Sequence, residues 1–128
     1  MTPETKIKAT ILLQARESWG ESFIGDPHSM TEDEIIDLYD ESESALDIAY
    51  DFREGDVETD IDCGCSRHYE LKSVASEMFD GSWVGWTYWY GGGKFGNPEE
   101  IPWMEDAYDL DCVEEEKLVI VRTFSKKN

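Results

Sequence analysis

Apolar side chains recur every three or four residues up to Phe52 and every two residues beyond Gly55. The change of period divides the chain into a helical part and a strand part. The first stretch opens on Thr2-Pro3-Glu4: a capping hydroxyl, a proline at the first helical position and an acid in the first turn. Ile7, Ile11, Leu12 and Ala15 follow at helical spacing and Gly20 offers a stop, which predicts a helix over 3–18. Ile7, Ala9, Ile11 and Leu13 also alternate, but the cap signals decide for the helix. Gly20 to Met30 contains Gly25-Asp26-Pro27 and reads as a loop.

Thr31 to Glu54 is the longest periodic stretch. Thr31 followed by Glu34 is a capping box. Ile35, Leu38, Tyr39, Ala45, Leu46, Ala49 and Phe52 form an apolar stripe, so the expectation is one helix over 31–54. Asp40-Glu41-Ser42-Glu43-Ser44 is the point at which it would divide in two, and Ala45 to Phe52 would also pass for a strand. Gly55-Asp56 ends the segment on either reading.

Val57 to Asp62 then reads as a short acidic strand or loop, and Arg67 to Met78 as an alternating strand. Asp80-Gly81 is a hairpin turn. Ser82 to Tyr90, SWVGWTYWY, is the strongest strand. Gly91 to Pro98 is a loop. Pro98 to about Tyr108 opens as a helix that Pro102 keeps short. Asp109 to Val113 and Lys117 to Phe124 suggest a last hairpin around Glu114-Glu115-Glu116. The expected fold is α+β: a single domain over 1–128, with two N-terminal helices packed on an antiparallel sheet of about four strands. The sheet region spans 57–125, with the short helix before the last hairpin.

Charge adds a constraint that periodicity does not carry. The 128 residues hold 30 acids against 11 bases, a net −19, together with five Trp, six Tyr and five Phe. So many rings argue for a packed core rather than disorder. The charge repels nucleic acid and anionic membranes and favours basic surfaces or cations. No apolar run is long enough to span a membrane, and MTPETKIKAT lacks a basic-then-apolar leader pattern. Three cysteines, an odd count, fit a reducing, cytoplasmic setting.

On the 31–54 helix, Asp33, Asp37, Asp40, Asp47, Asp51 and Glu54 fall in one stripe opposite the apolar one, with Ser44 filling the gap. At about 1.5 Å per residue the row runs roughly 30 Å, close to one turn of duplex DNA. Like charges three or four residues apart each cost roughly 0.2–0.5 kcal/mol, so a stable helix has no need of this pattern. One explanation is solvation. The other is imitation of nucleic-acid phosphates, and it makes the row a partner-binding surface. Asp56, Glu58, Asp60 and Asp62 would add a second row on a strand. Glu99, Glu100, Glu105, Asp106, Asp109, Asp111 and Glu114 to Glu116 form a third cluster.

The remaining motifs carry less. In the aromatic strand, Val84, Trp86, Tyr88 and Tyr90 share one face, and Trp83, Gly85, Thr87 and Trp89 the other. Such a strand is either the centre of a core or a platform for a sugar or aromatic ligand. Gly91-Gly92-Gly93-Lys94 lacks the spacing of a phosphate loop. Cys63, Cys65 and His68, joined by Cys112, would make a chemically sound zinc site if the last hairpin packed nearby. No catalytic triad order, His-Glu-x-x-His motif or EF-hand loop is present, and no catalytic residue is assigned.

Ser66-Arg67-His68-Tyr69-Glu70, Trp83 through Lys94, Pro98-Glu99-Glu100-Ile101 and Trp103-Met104 together resemble small uncharacterised proteins of tailed bacteriophages. The resemblance covers roughly the C-terminal half and brings no known activity. It implies a host bacterial cytoplasm and action against a host defence or nucleic-acid enzyme. The chain is also similar in composition to acidic phage proteins that mimic DNA. The expectation is a non-catalytic DNA-mimic inhibitor of the anti-CRISPR or anti-restriction class, bound to a basic nucleic-acid-binding host protein and not to nucleic acid or membrane. The alternatives are a small zinc-binding accessory module and a ligand-binding domain using the aromatic strand.

Overall fold

The first helix, α1 (Pro3–Ser18), begins where its caps place it. The Thr5 N–H donates to Thr2 Oγ1 at 3.2 Å, and the Lys6 N–H to the Thr2 carbonyl at 3.0 Å. The structure, a computed structural model, describes residues 1–18, 20, 25–91, 96–115 and 122–127. Ile7, Ala9, Ile11, Leu12 and Ala15 are wholly buried. A helix buried on so many sides needs cover all round. Here the helical residues 32–41 and 43–52 and the strand residues 83–90 and 108–110 supply it.

The expected single helix over 31–54 is instead two: α2 (Glu32–Glu41) and α3 (Glu43–Phe52). Ser42 separates them in an extended conformation, φ −78° and ψ 121°, as the C-cap of α2 and the N-cap position of α3, with no side-chain capping bond to α3. Serine favours helix ends over helix interiors, so the sequence is weakest as a helix at this point. Geometry favours the break as well. A straight 24-residue rod would run roughly 36 Å, against roughly 24 Å for α1. Bent at Ser42, both halves lie on α1.

The break also frees α3 from the rotation that a continuous helix would impose on it. The buried side of α3 is Ser44, Ala45, Ile48 and Ala49. Leu46, expected in the apolar stripe, is 77% exposed, and Ser44, expected among the acids, is buried.

The sheet is an antiparallel meander in the order β1-β2-β3-β4, with β1 Val57–Glu58, β2 Glu70–Glu77, β3 Trp83–Tyr90 and β4 Tyr108–Leu110. Across β2 and β3, Val74 pairs with Trp86 and Ser76 with Val84. These four side chains are buried and share the face that meets the helical core. The other face carries Leu71, Ser73, Ala75, Trp83, Thr87 and Trp89. Tyr108 and Leu110 cross it over Gly85, where a Cβ would lie 2.7 Å from the Tyr108 ring and 2.8 Å from Leu110.

The fold is therefore α+β, as expected, with three differences. The short helix expected from Pro98 is one 3₁₀ turn, Pro98–Glu100, because Pro102 removes the donor a longer helix needs. The acidic strand is only Val57–Glu58, extended by the Thr59 N–H bond to the Ser73 carbonyl at 2.9 Å. The expected last hairpin has its first strand at β4, and residues 117–121 of its second lie outside the described ones.

Gly55 sits where α3 hands over to the sheet. Its φ is +71°, and a Cβ there would lie 2.6 Å from Val74 Cβ. Gly20 has a similar φ of +69° with nothing within 4 Å. Gly20→Ala should cost about 1 kcal/mol of unfolding free energy for backbone strain alone. Gly55→Ala should cost about 2 kcal/mol more, because the core must also shift. Urea titration of both variants measures the difference, and equal losses would remove the close approach of α3 to β2.

Candidate protein-interaction surface

The acids of α3 are held in place from below, by the end of the helix. The Trp86 ring is fully buried between Phe52 and Trp103, with centroids 5.7 and 5.2 Å away. Its Nε1–H donates to the Arg53 carbonyl at 2.8 Å, satisfying one of the open carbonyls at the C-terminus of α3. Arg53 answers in the other direction: its guanidinium donates to the Trp89 carbonyl at 3.0 Å. The guanidinium lies between the rings of Tyr50 and Tyr88, 4.7 and 5.0 Å from their centroids. Arg53 is only 7% exposed, and its Nε has no hydrogen-bond partner among the described residues. Sequence reasoning placed no weight on Arg53. The available signal was its position four residues after Ala49, in the buried row Ala45-Ala49-Arg53.

All ten acids singled out from the sequence are exposed: Asp33, Asp37, Asp40, Asp47, Asp51, Glu54, Asp56, Glu58, Asp60 and Asp62. They do not form one straight row. Asp33, Asp37 and Asp40 point away from Ile35 on α2. Asp47 and Asp51 lie on α3, with Glu54 just past its end. The four like-charge spacings, 33–37, 37–40, 47–51 and 51–54, each stay on one side of Ser42, so the repulsion persists. Asp56 to Asp62 are not carried by one strand, since only Glu58 of the four lies in β1.

The capping box at Thr31 and Glu34 forms, and Glu32, Asp33 and Glu34 fill the first turn of α2, where the helix dipole favours them. No basic residue occupies the last turn of α2 or α3, where one would help. Glu32 also accepts from the Thr2 N–H at 2.8 Å, and chiefly that bond holds its carboxyl below the usual range.

The cations lie elsewhere. Among the described residues, Lys6 pairs with Asp109 at 2.7 Å, Lys8 with Glu4 at 3.3 Å and Lys72 with Glu58 at 2.7 Å. The bond to Glu58 raises the Lys72 ammonium above its ordinary value. Of the ten acids, Glu58 alone has an ion pair among the described residues.

Between α3 and the segment after the 3₁₀ turn runs a groove of about 670 Å³. Leu46 and Tyr50 form one wall, and Ile101, Pro102, Trp103 and Met104 the other. Sequence reasoning missed it, because it assigned Leu46 to the core and the Pro98 region to a helix.

The zinc alternative does not assemble. Among the described residues, no three of His, Cys, Asp or Glu are arranged to hold a metal ion. The sheet order explains this. Cys63, Cys65 and His68 lie in the connection from the β1 edge into β2, whereas Cys112 follows β4 at the opposite edge. The three cysteines are free thiols. The aromatic strand serves the core through Val84 and Trp86, while Tyr88 and Tyr90 are half-buried beneath Lys72, whose Nζ is 5.7 and 5.6 Å from their centroids. No helix among the described residues is long and apolar enough to cross a membrane. Compared with known proteins, the chain matches no family model, no curated protein and no solved structure.

Tyr39 ties α2 to α1, with Lys8 Nζ 5.3 Å from its ring centroid. Burial first, then Asp40 and Glu4, pushes its phenol up to about 12. A phenol ionising near 10 when unfolded and higher when folded favours the fold below about pH 10. That contribution disappears as pH climbs towards about 12. Unfolding free energy should therefore fall over this window, and less steeply for Tyr39→Phe. Identical slopes for the two proteins would contradict the raised value.

Proposed function

We propose that this chain acts by binding, without catalysis: an acidic inhibitor that occupies the nucleic-acid-binding surface of a basic host protein. The target class is a bacterial defence or DNA- or RNA-handling protein, as for anti-CRISPR or anti-restriction proteins. One observation carries the reading: ten exposed carboxylates, only one of them paired to an internal cation among the described residues. Such a surface raises the local concentration of a basic partner and speeds its association.

The break at Ser42 changes the form of the proposal. Two short rows, on α2 and around the end of α3, replace a single rod. Two separate rows make two separate contacts, and either can fail alone. The rows are positioned by packing on α1 and by the Trp86–Arg53 contact, so little ordering is left for the moment of binding.

The test uses the intact chain immobilised against bacterial lysate, with bound protein identified and then titrated in isolation. Affinity should fall steeply with salt, and duplex DNA should compete with the chain for the partner. Reversing Asp47, Asp51 and Glu54 to Lys should weaken binding roughly 30-fold or more, since each lost pair carries up to about 1 kcal/mol and each reversal adds repulsion. Reversing Asp33, Asp37 and Asp40 should act separately. Full affinity in both triple variants, or a partner that holds DNA and this chain together, would overturn the reading.

A further inference from the structure

The groove beside α3 combines two features that a solvated acidic face does not need. Leu46 is 77% exposed and Tyr50 51% exposed, adjacent on one side of α3. Both face Ile101, Trp103 and Met104 across a space of about 670 Å³, within the range of pockets that hold a compact ligand. Exposing a large aliphatic side chain forgoes the stabilisation its burial would give. The turn of α3 at Ser42 is what brings Leu46 out of the core and into this wall.

Charge selects the occupant. Glu4, Asp47, Glu100 and Glu105 line the same groove. Arg53, the one cation lining it among the described residues, is withdrawn to the inner wall, where it holds the Trp89 carbonyl and packs between two rings. An anionic ligand would meet four carboxylates and almost no accessible positive charge. Lys8, bound to Glu4 at 3.3 Å, leaves the other three acids of this rim without a cation among the described residues.

We propose that the groove seats a single apolar or aromatic anchor residue carried on a basic segment of the partner protein, with lysines or arginines on either side facing Asp47, Glu100 and Glu105. This deepens the acidic-inhibitor reading and rests on it. The rows of acids supply long-range attraction that salt screens, and the anchor supplies a contact that salt does not screen. Asp47 belongs to both surfaces: it is in the α3 row and on the groove lining. Attraction to the row therefore delivers a basic segment to the groove.

Two dye-labelled probes test this on the intact protein: a short oligolysine peptide with one central tryptophan, and the same peptide with serine in its place. Fluorescence anisotropy at physiological salt should show the tryptophan peptide binding about tenfold tighter or better. Raising the salt should weaken both peptides by a similar factor and leave that ratio standing. Leu46→Asp should abolish the advantage and leave the serine peptide's binding no weaker. Leu46 is exposed, so the variant keeps the fold, which circular dichroism checks. If both peptides bind alike with strong salt dependence, the groove proposal fails while the acidic surface stands. If neither binds, both fail. An advantage that survives Leu46→Asp and Trp103→Ala would also overturn the groove.

Discussion

The contact on which the arrangement depends is the two-way bond between Trp86 and Arg53. An indole N–H from the middle of β3 satisfies a carbonyl at the end of α3 at 2.8 Å, and the arginine of that residue satisfies a carbonyl of β3 at 3.0 Å. Each bond closes a polar group that would be costly to bury alone. Together they lock the last turn of α3 against the central strand. Phe52 and Trp103, packed on the same indole, join α3 and the post-3₁₀ segment to one ring. The groove, the α3 acids and the sheet thus share a single anchor. Gly55 completes it, because only a residue without a Cβ lets the chain leave α3 so close to Val74.

The electrostatics follow from how the few cations are used. Lys6, Lys8 and Lys72 pair with acids of the fold, and Arg53 is buried within it. These bonds fasten α1 to β4, pin the first turns of α1 and join β2 to β1. The rows on α2 and α3 lie outside that network. Uneven allocation, rather than net charge alone, leaves an outward surface of carboxylates without an ion pair among the described residues. An evenly solvated acidic domain has no need to place three acids in register on α2 and three more along and just past the end of α3.

Much of the fold was legible because it rests on local signals. The Thr2-Pro3-Glu4 cap set α1, the Thr31 and Glu34 box set the start of α2, and period-two texture with Asp80-Gly81 set the β2–β3 hairpin. The division at Ser42 was visible only as an option, since capping preference and helix periodicity pull in opposite directions there and packing on α1 decides. The exposure of Leu46 follows from that decision and could not be read before it. Arg53 and the groove were hidden for a different reason: both are made by contacts between residues roughly 30 to 60 positions apart, which periodicity does not report. The acids, being exposed, needed no such contacts, and each lies on the surface as the sequence suggested. Their single-line arrangement did not survive, because it depended on the unbroken rod.

The most direct test is hydrogen exchange at the five tryptophan indoles, followed by nitrogen-15 NMR. With Trp86 buried and bonded to the Arg53 carbonyl, its indole N–H should outlast the other four in heavy water, leaving only when the domain opens as a whole. Trp86→Phe assigns the signal. If the Trp86 indole exchanges as fast as the rest, the end of α3 is not fastened to β3, and the surface built on it loses its support.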